Sequence, residues 1–299
     1  MGQPITIRFR KMNGLGNDFV ILDARKHPVA VYPAMVRAIA DREDGIGCDQ
    51  LVRLEPGHGA GMDIFMRIWN RDGGEVAACG NATRCVAGLV IRETGKAQAI
   101  VGTKAGRLLC TASGPDRVTV DMGRARFDWR EIPLTRPVAD TSEIVLGLDP
   151  ADAPALFGPS VVNIGNPHCI FWVEDVKTFD LAEIGPVLEH HPIFPEGANI
   201  SLATVIDSEY IVARVWERGA GLTRACGTAA CAIAAAAARK GLASRGARVA
   251  LPGGELDIGW RESDDHILMT GAFAHDHDGI LPPQLLEPAT SHALTPATP

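Results

Sequence analysis

The chain has 299 residues, 46% apolar and 22% charged, a globular composition that excludes global disorder and leaves room for one large domain or two ordinary ones. Twenty-nine basic against 36 acidic residues give a formal charge of −7 with no basic stripe, so no nucleic-acid partner is expected. The longest apolar run, Ala229–Ala238, is too short to span a bilayer. Arg8, Arg10 and Lys11 lead into polar, glycine-rich residues where an export signal needs an apolar core, so a cytoplasmic protein with no membrane partner is expected.

Along the chain, Gly16-Asn17 precedes the apolar run Val20–Leu22, and Asp63–Trp69 reads as a strand ending in the turn Asp72-Gly73-Gly74. A helix is expected over Asn81–Glu93, with Ala82, Cys85, Val86, Leu89 and Val90 on its apolar face and Gly95 as its stop. Ile100–Thr103, Arg117–Met122 and Val161–Ile164 read as short strands. Gly165-Asn166 then precedes Cys169–Val173, and the strand Tyr210–Trp216 runs into Gly219-Ala220-Gly221. The alanine-rich segment Thr228–Lys240 is apolar all round, the pattern of a helix buried within its domain. Arg248–Leu251 and Ile267–Thr270 read as strands, and His275–Asp278 as an exposed, solvated turn. The last eighteen residues hold five prolines and are expected not to join a core.

The chain is written twice. Arg67–Gly80 and Arg214–Gly227 are identical at seven of fourteen positions, including a tryptophan and a cysteine. Gly16-Asn17 and Gly165-Asn166, and Gln50 and Asn199, repeat at nearly the same offset. A period this long indicates two similar halves rather than a solenoid. The expected fold class is α+β, with two pseudo-symmetric domains, each a mainly antiparallel, β-barrel-like sheet around a central helix. Trp69 and Trp216 read as packing residues.

Seven cysteines, an odd number with no zinc-like spacing, predict neither a disulfide framework nor a metal site. Cys48, Cys85, Cys110, Cys169 and Cys231 read as small buried hydrophobes. Cys79 and Cys226 differ: the repeat selects both, and each stands where a turn enters a helix. Unpaired N–H groups and the dipole at a helix start favour a thiolate and a bound carboxylate. Two thiols on opposite faces of one carbon can invert it, one removing the α-proton and the other returning a proton from the far side.

Lys11–Phe19, Cys79-Gly80-Asn81, Gly165-Asn166-Pro167-His168, Glu217–Gly221 and Ala225-Cys226-Gly227-Thr228 resemble the diaminopimelate epimerase family over roughly residues 6 to 275. Asn13, Ala82 and Leu222 depart from its commonest pattern. The resemblance implies a cofactor-independent, metal-free isomerase that interconverts LL- and meso-diaminopimelate for lysine and peptidoglycan precursors, acting as a homodimer. It makes Cys79 and Cys226 the acid–base pair. It makes Asn17, Gln50, Asn70, Gly80, Asn81, Asn166, Asn199, Glu217, Arg218, Gly227 and Thr228 substrate-contacting, with His168 and Glu217 tuning the cysteines. It also implies that the last strand returns to the first domain. The expected division is 1–126 plus 272–282 for the half carrying Cys79, 127–271 for the half carrying Cys226, and 283–299 as a disordered tail. A proline or hydroxyproline racemase, which resembles Cys-Gly-His where Asn81 stands, and a non-catalytic amino-acid-binding protein are the alternatives. A phenazine-type isomerase of the same fold lacks the cysteine pair.

Overall fold

The computed structural model describes residues 6–59, 61–150 and 153–286. The chain opens with a hairpin, β1 (Arg8–Gly14) and β2 (Asn17–Asp23). Its two linking residues, Leu15 and Gly16, lie at φ 59° and 76°, the twist a two-residue hairpin favours. A short outer helix, α1 (Pro33–Ala40), leads to β3 (Gln50–Pro56) and β4 (Ile64–Asn70). A two-residue β5 (Glu75–Val76), the helix α2 (Gly80–Thr94), β6 (Gln98–Thr103), β7 (Gly106–Ala112) and β8 (Arg117–Arg124) follow.

The second half repeats this plan. After a separate ribbon of β9 (Gly147–Leu148) and β10 (Leu156–Phe157) come β11 (Ser160–Asn163), β12 (Pro167–Trp172), α3 (Leu181–Glu189) and β13 (Asn199–Asp207). Next are β14 (Tyr210–Glu217), β15 (Gly221–Thr223), the helix α4 (Gly227–Arg239), β16 (Gly246–Leu251), β17 (Gly254–Trp260) and β18 (His266–Ala272). The strand β19 (Ala274–Ile280) then pairs antiparallel with β1.

Strand pairing repeats with the sequence. β2 lies parallel to β3 with Phe19 opposite Gln50, and β12 parallel to β13 with His168 opposite Asn199. The pairs β4–β6 and β14–β16 are likewise parallel, and the other strand pairs are antiparallel. β8 and β18 join the two halves into one sheet of seventeen described strands. The architecture is thus mainly β, with few helices and two matched halves.

α2 and α4 share one core enclosed by the curled sheet. Ala229, Ala230, Ala232 and Ala235 to Ala237 are each 3% exposed or less, because bare methyl groups let the surrounding strands approach the α4 backbone. In α2 a Cβ at Gly88 would stand 2.2 Å from the Phe273 ring, so close packing there excludes any larger residue despite glycine's helix cost of about 1 kcal/mol.

The helices begin one residue earlier than the apolar pattern suggests, because Cys79 and Cys226 are themselves the extended N-caps. The segment His275–Asp278 is exposed, as expected, but it forms part of β19 rather than a turn, since β1 offers an unpaired edge. Chain packing continues past residue 282. Pro283–Leu285 form a 3₁₀ turn, and Leu285, 7% exposed, joins the cluster under α1, so the tail leaves the core later than its prolines suggested. Residues 287–299 lie outside the described residues.

Candidate active site

Cys79 and Cys226 have extended backbone, φ −148° and −127°, and neither side chain hydrogen-bonds to its own helix as a cap. The two helix starts meet. A Cβ built on Gly227 would lie 3.8 Å from the Cα of Gly80, and one on Gly80 would lie 3.9 Å from the Cα of Gly227. The Met269 side chain of β18 fills the space beneath both, 2.8 Å from a Cβ on Gly227 and 3.0 Å from one on Gly80. Glycine at both positions leaves room for Met269 while the two N-termini, and the partial positive charge of each, converge on one point. Two sulfurs and two sets of free N–H groups therefore face one cleft of about 1490 Å³.

Burial governs the thiols. It pushes Cys79 up to about 11 and Cys226 well above the ordinary thiol range. Cys79 is half-buried while Cys226 is 4% exposed, in keeping with the stronger push on Cys226. The Glu217 carboxylate adds to the rise at Cys79, whereas the N–H groups of Ala82 and Asn81 and, more weakly, the charge of Arg84 work the other way. At Cys226 the Thr228 hydroxyl, 3.5 Å from the sulfur, and the Ala229 N–H favour the thiolate, while the Glu217 carboxylate opposes it. Burial raises Glu217 itself, offset in part by the Thr223 hydroxyl and the Cys226 thiol.

The carboxamides enter the cleft as matched sets. Asn17 ends the β1–β2 turn, and its Oδ1 lies 4.0 Å from Cys79 Sγ. Asp49 accepts from Asn17 Nδ2 at 2.8 Å and so fixes which way that amide points. Gln50 stands opposite Asn70 on β3 and β4 and donates to its Oδ1 at 2.8 Å, leaving the buried Gln50 Oε1 without a partner. In the second half Asn199 donates to Pro167 O and accepts from Arg218 N–H, beside Glu217 at the end of β14. Cys79, Cys226 and every expected substrate-contacting residue line this one cleft.

Two placements differ from a simple contact role. Asn81 is 2% exposed, and both ends of its amide are engaged, Oδ1 by Arg84 and Nδ2 by Ala225 O, so what it presents to the cleft is backbone. His168 does not line the cleft and hydrogen-bonds to neither sulfur. Its Nε2 is 2.8 Å from Asn166 Oδ1, and burial pushes its pKa down to about 3, which keeps the ring neutral. A neutral ring whose Nε2–H donates to Asn166 orients that amide.

Other residues escaped the motif reading because they sit behind the site. Both oxygens of the buried Glu189 accept hydrogen bonds, one from Trp216 Nε1–H at 2.7 Å and one from Gly219 N–H at 2.9 Å, bracketing the turn with Glu217 and Arg218. Arg84 likewise holds an amide, that of Asn81, whereas Asp49 lines the cleft and orients Asn17 from there. The one available signal was a departure from the repeat: Arg84 has cysteine, not a cation, as its counterpart.

The family model for diaminopimelate epimerase matches residues 9–128 and 160–275. The chain is 51% identical over 283 residues to a diaminopimelate epimerase from Rhodopseudomonas palustris (strain BisB18), covering 95% of this chain and 97% of that protein. It is 52% identical over 279 residues to one from a Bradyrhizobium species (strain BTAi1), covering 93% and 96%. Among solved structures, a hydroxyproline epimerase from Agrobacterium vitis superposes with TM-score 0.66 at 13% identity, covering 94% of each chain. A phenazine biosynthesis protein from Bacillus anthracis gives TM-score 0.64 at 16% identity, covering 93% of this chain and 99% of that one. At such identities the likeness is one of fold.

Proposed function

The chain belongs to the diaminopimelate epimerase family, a family of isomerases, and from that premise we propose that it interconverts LL- and meso-2,6-diaminopimelate by a cofactor-independent exchange of protons between two thiols. One observation carries the reading: two cysteines cap two helices whose first residues touch, so both sulfurs serve one substrate carbon. The sulfur present as thiolate removes the Cα proton. The other, as thiol, donates its proton to the opposite face, so the thiolate changes sides once per turnover. The backbone N–H groups of Gly80, Asn81, Gly227 and Thr228 receive the reacting carboxylate and stabilise charge that spreads onto it in the transition state. Asn17 and Asn166 contact the reacting end. Gln50, Asn70, Asn199, Glu217 and Arg218 hold the second ammonium and carboxylate, with Arg218 for the anion and the unpartnered Gln50 Oε1 for an N–H. Glu217 tunes Cys226 directly, and His168 acts through Asn166.

The pairing of β19 with β1 supports a division into 1–126 with 272–282 and 127–271. Family membership supports a role in lysine and peptidoglycan precursor synthesis, and a cytoplasmic homodimer. Among the described residues no helix is long and apolar enough to cross a membrane.

The test is incubation with LL-diaminopimelate in deuterated water, scoring exchange and inversion at Cα. Wild type should exchange and invert, whereas Cys79→Ala and Cys226→Ala should each lose at least about 10²-fold in inversion, the lower range for a positioned acid or base. Near-wild-type inversion by either variant would sink the two-thiol mechanism. Comparable turnover of proline would reassign the substrate, and absence of any exchange would leave a binding protein.

A further inference from the structure

α2 and α4 begin alike but diverge within two turns. Five residues after Cys79 stands Arg84, whereas five residues after Cys226 stands Cys231. Arg84 is 0% exposed and ranks among the largest fully buried side chains. Its three nitrogens meet only neutral acceptors: Asn81 Oδ1 at 2.9 Å, Ala272 O at 3.4 Å and Met269 Sδ at 3.7 Å. It makes no ion pair among the described residues.

A buried guanidinium without an anion is unfavourable, and its field reaches whatever negative charge forms nearby. The groups facing it are Cys79 and Cys85 on its own helix, Cys231 on α4 and the like-charged Arg117 on β8. The carboxylates of this region act elsewhere, Glu217 on the two cleft sulfurs and Asp276 on Cys85. The cleft itself must therefore supply the compensating charge. A hydrogen-bond relay joins Arg84 to it, because Asn81, held by Arg84 through Oδ1, donates through Nδ2 to the carbonyl of Ala225, the residue before Cys226.

We propose that Arg84 is a positioning residue that makes the two matched cysteines unequal, its buried charge making Cys79 the first of the pair to ionise while Cys226, beside Glu217, stays a thiol. The proposal rests on the two-thiol reading above. It follows that one turnover from rest moves a proton from substrate to Cys79 and another from Cys226 to substrate, leaving the thiolate on the less favoured sulfur. Glu217 opposes the thiolate at both sulfurs, whereas Arg84 favours it at Cys79.

The test follows alkylation of the substrate-free full-length protein by iodoacetamide across pH, with Cys79 and Cys226 read separately by peptide mapping. The midpoint of each profile is compared rather than its rate, because Cys226 is 4% exposed. In wild type the Cys79 midpoint should lie at least about one pH unit below that of Cys226. Arg84→Met should move the Cys79 midpoint up by about one unit or more, and Arg84→Lys, which keeps the charge, should largely restore it. A Cys226 midpoint at or below that of Cys79 in wild type overturns the proposal without any variant having to fold. An unshifted Cys79 midpoint in folded Arg84→Met overturns it too. Labelling requires no turnover, so either result stands apart from a failed two-thiol mechanism, which shows as inversion retained by Cys79→Ala.

Discussion

Replacing His168 with glutamine should remove about 2 kcal/mol of acid sensitivity from the folded protein. The imidazole is 0% exposed, with Nε2 against Asn166 and Nδ1 without a partner, and among the described residues it makes no ion pair with a carboxylate. Burial, reinforced by the charge of Arg218, pushes its pKa from 6.5 down to about 3. Below pH 6.5 the unfolded chain therefore takes up a proton that the native state refuses until about pH 3. Stability from this group is complete above 6.5 and falls with pH through that window at about 1.4 kcal/mol per unit. Between pH 7 and pH 5 the loss comes to about 2 kcal/mol, before most carboxylates begin to titrate. Glutamine can still donate an N–H toward Asn166 but does not titrate. Urea unfolding of both proteins at pH 7.0 and 5.0 measures the difference. The pH-dependent drop should be about 2 kcal/mol smaller in His168→Gln, and equal drops would show that His168 is not held neutral by burial.

Glu189→Gln should raise KM roughly tenfold or more while changing kcat less, because one of the two N–H groups bracketing Glu217 and Arg218 loses its acceptor, worth about 1–3 kcal/mol; steady-state kinetics with unchanged KM would refute this. Gly227→Ala places a Cβ 2.8 Å from Met269 Sδ and 3.8 Å from Gly80 Cα. It should cost about 1–3 kcal/mol in urea unfolding, and adding Met269→Ala should recover stability but not turnover. All seven cysteines are free thiols, and mild oxidation should inactivate the enzyme through a Cys79–Cys226 bridge that dithiothreitol reverses and substrate slows. Peptide mapping that finds bridges only among other cysteines would count against a shared cleft.

The repeat was legible because duplication leaves identities at a fixed offset whatever the fold, and it singled out Cys79 and Cys226 before any geometry was known. The strands around Trp69 and Trp216 and the two buried helices were legible for a local reason: β-branched runs, glycine turns and an apolar helical face act over a few residues. The short outer helices α1 and α3 and most strand pairings were not, because they depend on partners distant in the chain. The edge that turns His275–Asp278 into β19 belongs to β1, more than 260 residues earlier. The residues that act on the site through others stayed hidden for the same reason. Asp49 matters because it meets Asn17, Glu189 because it brackets a turn some thirty residues on, and Arg84 because the curled sheet closes over it and brings no anion. Residue type and spacing thus identified the chemical groups, whereas tertiary packing decided which of them line one cleft, which meet one another, and which are buried behind it.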